Sequence, residues 1–163
     1  MGWPVLITCD EFYTELDSFQ VLPQQIHTVD VDAFKKAYGQ ESAGRDRDIV
    51  YALRTETPMP RLKGVSDVVY IGMTGGSFRQ RYLPHAKLHA TSVANRVKYQ
   101  HILESYGSIR ITVAPYRRYG PDLRTAEGQL LWWYFRHHCE YPPVNYTQTQ
   151  VRTDSIPMLV GEP

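Results

Sequence analysis

From Ser108 to Pro115 the chain alternates Ile109, Ile111 and Val113 with Arg110, Thr112 and Ala114. A strict period of two is strand periodicity, and it commits this segment to a sheet. Two further runs offer partners. Ile49-Val50-Tyr51-Ala52-Leu53 is short, apolar and partly β-branched, and Asp67-Val68-Val69-Tyr70-Ile71-Gly72 is similar. The joint between them holds Pro58, Pro60 and Gly64, a turn-rich composition that makes the pair an antiparallel hairpin.

Helical signals fill the rest. Gly72, Gly75 and Gly76 end the second strand, and Thr74 or Ser77 caps a helix carrying Phe78 to Leu83, which Pro84 ends or kinks. A longer helix is expected over about Ser92 to Tyr106. Its face is drawn by Val93, Val97, the His101/Ile102 region and Tyr106, and Gly107 closes it. A third runs from about Leu123 to His138, and Pro142-Pro143 forbids its continuation. The order β-β-α-α-β-α predicts the α+β class, with a small antiparallel sheet of about three strands flanked by helices.

A chain of 163 residues suits one domain with a sizeable core. Residues 1–47 read as an N-terminal extension with one helix, capped by Asp30 or Asp32, apolar along Val31, Phe34 and Ala37, and ended by Gly39. The domain proper is expected over 48–146. The tail, 147–163, shows little pattern.

No apolar run reaches the length of a membrane span, and the N-terminus lacks the basic start and long apolar stretch of a signal peptide. Cys9 and Cys139 are too far apart in sequence for a disulfide framework or a zinc knuckle. The expectation is a reduced, cytoplasmic protein with no membrane partner. The net charge of +1 hides an asymmetry: residues 76–125 hold nine basic side chains against Glu104 and Asp122. Such an excess attracts polyphosphate, although a solvated helical face explains a basic stretch equally well.

Val69-Tyr70-Ile71-Gly72-Met73-Thr74 brings these elements into a known pattern. It resembles the second half of the signature of the GIY-YIG nuclease family. Ile49-Val50-Tyr51 takes the place of the first tripeptide, with Ile49 where the family usually has Gly. Arg81 and His85 match the helix after the second motif, with one extra residue before Arg81. Glu127 matches the helical acidic position, and Pro142-Pro143-Val144-Asn145 the closing Asn. The resemblance runs from Asp48 to Asn145 and follows the element order as well as the motifs.

That resemblance implies a divalent-metal-dependent endonuclease that hydrolyses phosphodiester bonds in DNA, as restriction-type or phage enzymes do. A restriction role would pair two copies in a homodimer to cut both strands. Tyr51 is then the expected base, Tyr70 a water- or phosphate-positioning group, His85 a proton relay and Asn145 a supporting hydrogen bonder. Glu127 would hold Mg2+ or Mn2+; one carboxylate suits a cation that keeps much of its hydration. Taken alone, each residue has a plainer account. Glu127 reads as a first-turn residue stabilised by the helix dipole, the tyrosines as a cross-strand pair and Asn145 as a turn residue.

Arg81 can fork two donors onto a phosphate. It shares a helical face with His85 if the helix bends at Pro84, and Arg79 is the other candidate. His85 and His89 stand four apart but lack the Glu of metalloprotease helices. Arg79, Lys87, Arg96, Lys98, Arg117 and Arg118 are candidate nucleic-acid contacts. The competing expectation is a non-catalytic nucleic-acid-binding module on the same fold, which Ile49 in place of Gly favours.

Overall fold

A computed structural model describes residues 6–145 and 153–158. Twelve named elements follow in chain order: β1 (Leu6–Thr8), α1 (Phe12–Asp17), β2 (Gln20–Val21), α2 (Val31–Tyr38), β3 (Ile49–Pro60), β4 (Val65–Thr74), α3 (Phe78–Tyr82), α4 (Ala86–Thr91), α5 (Val93–Tyr106), β5 (Ile109–Pro115), α6 (Leu123–His138) and β6 (Ser155–Pro157). Short 3-10 turns join several of them. The fold is α+β, and no described helix is long and apolar enough to cross a membrane.

The main sheet has four antiparallel strands in the order β2-β5-β3-β4. The expected count was about three. The fourth, β2, is two residues long, too short to carry any alternation. A second, two-stranded sheet pairs Leu6 with Pro157 and Thr8 with Ser155, so part of the tail expected to lack pattern forms β6. The rest of that tail lies outside the described residues.

The hairpin forms as the sequence predicts, with Tyr51 opposite Gly72 and Leu53 opposite Tyr70. Its joint is shorter than expected because β3 runs on to Pro60, and Arg61–Gly64 alone make the turn. The Arg61 N–H donates to the Gly64 carbonyl at 2.9 Å, and Gly64 turns the chain at φ 71°. Pro58 is tolerated in a strand because the register slips between Arg54 and Met59, where a ladder N–H is not needed.

Helices cover both faces of the sheet. That is why β3 is buried continuously from Ile49 to Thr55 instead of on alternate residues. One core places Tyr51, Leu53, Ile109 and Ile111 under Phe34, Tyr38, Phe78, Tyr82 and Tyr99 of the α2–α5 side. The other places Val50, Ala52 and Ile71 against Phe12, Leu16, Leu130 and Trp133 of α1 and α6. The stretch read as an N-terminal extension thus supplies side chains to both cores. Its α2 is capped by Asp30, whose carboxylate accepts from the Ala33 N–H at 2.8 Å, an interaction worth about 1 kcal/mol.

The face of α5 expected to be apolar is buried at Ile102 but not at its two valines. Val93 is 79% exposed and Val97 65%, while Tyr99 and Ile102 are buried. Val97 lies about 200° and Val93 about 240° around α5 from Tyr99, and the larger aromatic side chain takes the core.

Candidate functional site

Tyr51 and Gly72 face one another across the hairpin. The tyrosine ring lies over the glycine: a Cβ at position 72 would come within 2.6 Å of the Tyr51 Cζ and hydroxyl oxygen. The last residue of Tyr70-Ile71-Gly72 is therefore glycine for want of space. Tyr70 stacks beside Tyr51 with centroids 6.1 Å apart, and Tyr82 of α3 meets Tyr51 edge-on at 5.3 Å.

Burial pushes the Tyr51 and Tyr70 phenols above their ordinary value. Glu127 adds to both shifts, while Arg81 and hydrogen bonding with Tyr82 oppose them. Both are thus protonated hydrogen-bond donors at neutral pH, and Tyr51 is only 1% exposed. The expectation that Tyr51 serves as base meets this opposition directly: its burial favours the neutral phenol.

α3 is capped by Ser77, whose hydroxyl accepts from the Gln80 N–H, while the Gln80 side chain accepts from the Ser77 N–H. Of Thr74 and Ser77, Ser77 is the cap. Pro84 ends the helix at Tyr82, and a 3-10 turn, Leu83–His85, follows. Arg81 and His85 nevertheless line the same pocket, about 340 Å³ in volume, with Tyr70, Tyr82, His89 and Asn95. Arg79 goes elsewhere. Its guanidinium lies where a Cβ on Gly44 would sit, 2.6 Å from Cζ. The two arginines are distinguished by position, and Arg81 is the one near the tyrosines.

Glu127 sits on α6, which Asp122 caps through the Thr125 N–H at 2.8 Å. Position 127 lies beyond the first turn of that helix, which holds no acidic residue, so the helix dipole does not account for it. Burial raises its pKa, opposed by the charges of Arg81 and Arg124. Among the described residues it makes no hydrogen bond or ion pair, leaving a half-buried carboxylate with acceptor capacity to spare. No group of three or more His, Cys, Asp or Glu side chains gathers among the described residues. A single carboxylate fits a hydrated Mg2+ better than a zinc ion, which takes three or four protein ligands.

Arg81 is the residue these groups share. It lines the pocket with Tyr70 and His85 and acts electrostatically on Tyr51, Tyr70, His89 and Glu127. Glu127 and the buried Tyr51 lie outside that pocket's lining. His89 is held toward its neutral form by burial and by the charges of His85 and Arg81, and its Nδ1 meets the Tyr38 hydroxyl at 2.8 Å.

Asn145 stands at the edge of β4. Its amide group exchanges two hydrogen bonds with the Ile71 backbone, and the Val144 N–H donates to the Val69 carbonyl. It secures the strand bearing Tyr70 and does not line the pocket.

The outlying cations divide. Lys87 and Arg96 are exposed. Lys98 donates to the Pro143 carbonyl at 3.2 Å, which ties α5 to the Asn145 turn. Arg118 forks onto Glu15 at 2.7 and 3.0 Å, so its charge is already matched. Arg117 is exposed and rests over the Tyr116 ring. Arg47 was not singled out from the sequence, because Asp46 and Asp48 flank it and mask the local charge. No family model, curated protein or solved structure matches this chain.

Proposed function

We propose that this chain is a divalent-cation-dependent DNA endonuclease of the GIY-YIG type. The observation that carries the reading is the position of Arg81, which lines one pocket with Tyr70 and His85 and whose charge acts on Tyr51, Tyr70 and Glu127 alike. Phosphodiester hydrolysis needs charge stabilisation on the phosphoryl oxygens, an oriented water and a proton acceptor. Arg81 supplies a permanently charged donor fork. Tyr70, at the pocket wall, donates a hydrogen bond to phosphate or water, and Tyr51 behind it holds Tyr70 in place. The water's proton passes to His85, whose imidazole can accept it and whose ring makes no hydrogen bond among the described residues.

Glu127 would hold Mg2+ or Mn2+. When bound, such an ion contributes Lewis-acid stabilisation of the phosphate and leaving oxygens.

The sealed, protonated Tyr51 favours a second reading, a nucleic-acid-binding module without catalysis. A plasmid relaxation assay across Mg2+ and Mn2+ separates the two. Metal-dependent nicking supports the enzyme, and a folded protein that binds DNA without cutting it under either ion supports the binder.

A further inference from the structure

His89 of α4 borders the candidate pocket and has no part in the hydrolysis outlined above. It is half-buried, and its ring is held on several sides. The Tyr38 hydroxyl, fully buried on α2, lies 2.8 Å from Nδ1. The Tyr99 ring of α5 stacks on it at 6.3 Å, and the Tyr82 ring of α3 meets it edge-on at 5.8 Å. On another side the His85 ring stacks at 6.2 Å, tilted by 19°. Tyr38 therefore occupies one ring nitrogen, while Nε2 makes no hydrogen bond among the described residues. The charges around the ring are all of one sign. The pocket is lined by Arg81, His85 and His89 and by no carboxylate. Burial, then the charges of His85 and Arg81, hold His89 toward its neutral form, and no carboxylate among the described residues opposes them. An anion entering the pocket supplies the opposite charge that the ring lacks.

We propose that His89 is a second phosphate contact of this site, and that it takes a proton from solvent as the phosphate enters. Nε2–H then donates to a phosphate oxygen, alongside the fork of Arg81. Both nitrogens of a charged imidazole are donors, so Nδ1–H donates to the Tyr38 oxygen, the acceptor already in place behind it. Tyr38 is thus a positioning residue, which acts on the phosphate only through His89. The inference rests on the nuclease reading and adds to it a coupling between DNA binding and proton uptake.

The test is isothermal titration calorimetry of the whole protein with a blunt DNA duplex. EDTA is present so that no strand is cut, and two buffers of different ionisation enthalpy are compared from about pH 5 to about pH 8. Wild type is expected to take up protons on binding, with affinity rising as pH falls. His89→Gln keeps a neutral donor but cannot titrate. It should lose about one proton of that uptake and about tenfold in affinity at the acid end, with little loss at the alkaline end. His85→Gln should keep the uptake and move it to higher pH, since one like charge is gone. Tyr38→Phe removes the acceptor for Nδ1–H and should move the uptake to lower pH. A merely structural hydroxyl would change the thermal transition and leave the pH profile where it was. Thermal transitions at both ends of the range show which variants fold. A folded His89→Gln that retains the wild-type uptake overturns the inference, as does a wild type that binds with no uptake. If His89→Gln does not fold, Tyr38→Phe decides, and an unshifted profile overturns the inference. A wild type that binds no duplex at any pH defeats the nuclease reading and the inference with it. Binding that Arg81→Ala weakens keeps that reading standing, whatever His89 does.

Discussion

Asn145 brackets Ile71: its side-chain N–H donates to the Ile71 carbonyl at 2.8 Å, and its side-chain oxygen accepts from the Ile71 N–H at 3.0 Å. β4 is the outer strand of the sheet, so these groups have no neighbouring strand to satisfy them, and Asn145 takes the place of one. Replacing Asn145 with Ala should cost about 1–3 kcal/mol of stability, read by chemical denaturation. The Ile71 amide should exchange its hydrogen faster. Unchanged exchange at Ile71 would contradict the bracketing role.

The contact between Tyr51 and Gly72 makes a second prediction. Gly72→Ala places a methyl group against a buried ring, and overpacking of this kind costs about 1–3 kcal/mol. In a double-mutant cycle with Tyr51→Leu, the two changes should cost less together than their sum, because the smaller side chain vacates the space. Simple additivity would show that Gly72 is required for another reason.

Arg81 and Arg79 should separate kinetically. Loss of a charged donor aimed at a transition-state phosphate costs about 100-fold or more in rate. Arg81→Ala is expected to fall in that range and Arg79→Ala, which packs over Gly44, to lose less than about tenfold. Steady-state cleavage of a labelled DNA gives the comparison, and equal losses would undo the distinction.

Glu127 should show a pH signature. Its pKa is raised in the folded protein, so the ionised form is disfavoured there. The cost to folding is absent below the unfolded carboxyl value, grows as pH rises from it to the folded pKa, and persists above. Glu127→Gln should therefore raise the thermal transition at neutral pH and leave it unchanged in acid. Cation affinity should weaken as pH falls through the raised pKa, since the protonated acid no longer offers a charge. Calorimetry at two pH values checks both directions.

Much of this was legible in the sequence because the signals were local. The alternation at Ile109–Val113 and the stops at Gly107 and Pro84 depend on nearest neighbours, and each appears where the sequence placed it. What failed depended on distant packing. Val93 and Val97 are spaced for a core face, yet Tyr99 claims the core instead. β2 and β6 are too short to signal themselves, and each exists only because a partner strand is present. At the candidate site, the ordering of Tyr51, Tyr70, Arg81, His85 and Glu127 along the chain carried the pattern. The choice between Arg79 and Arg81 turned on Gly44, a contact that no reading of local spacing reveals.

The most direct measurement is the rate of Mg2+-dependent plasmid nicking by wild type beside Glu127→Gln, with folding of both verified by circular dichroism. The nuclease reading requires nicking by wild type that chelation abolishes, and a loss of about 100-fold or more in the variant. Equal rates for the two folded proteins would remove Glu127 from the site, and a wild type that never cuts would contradict the enzyme.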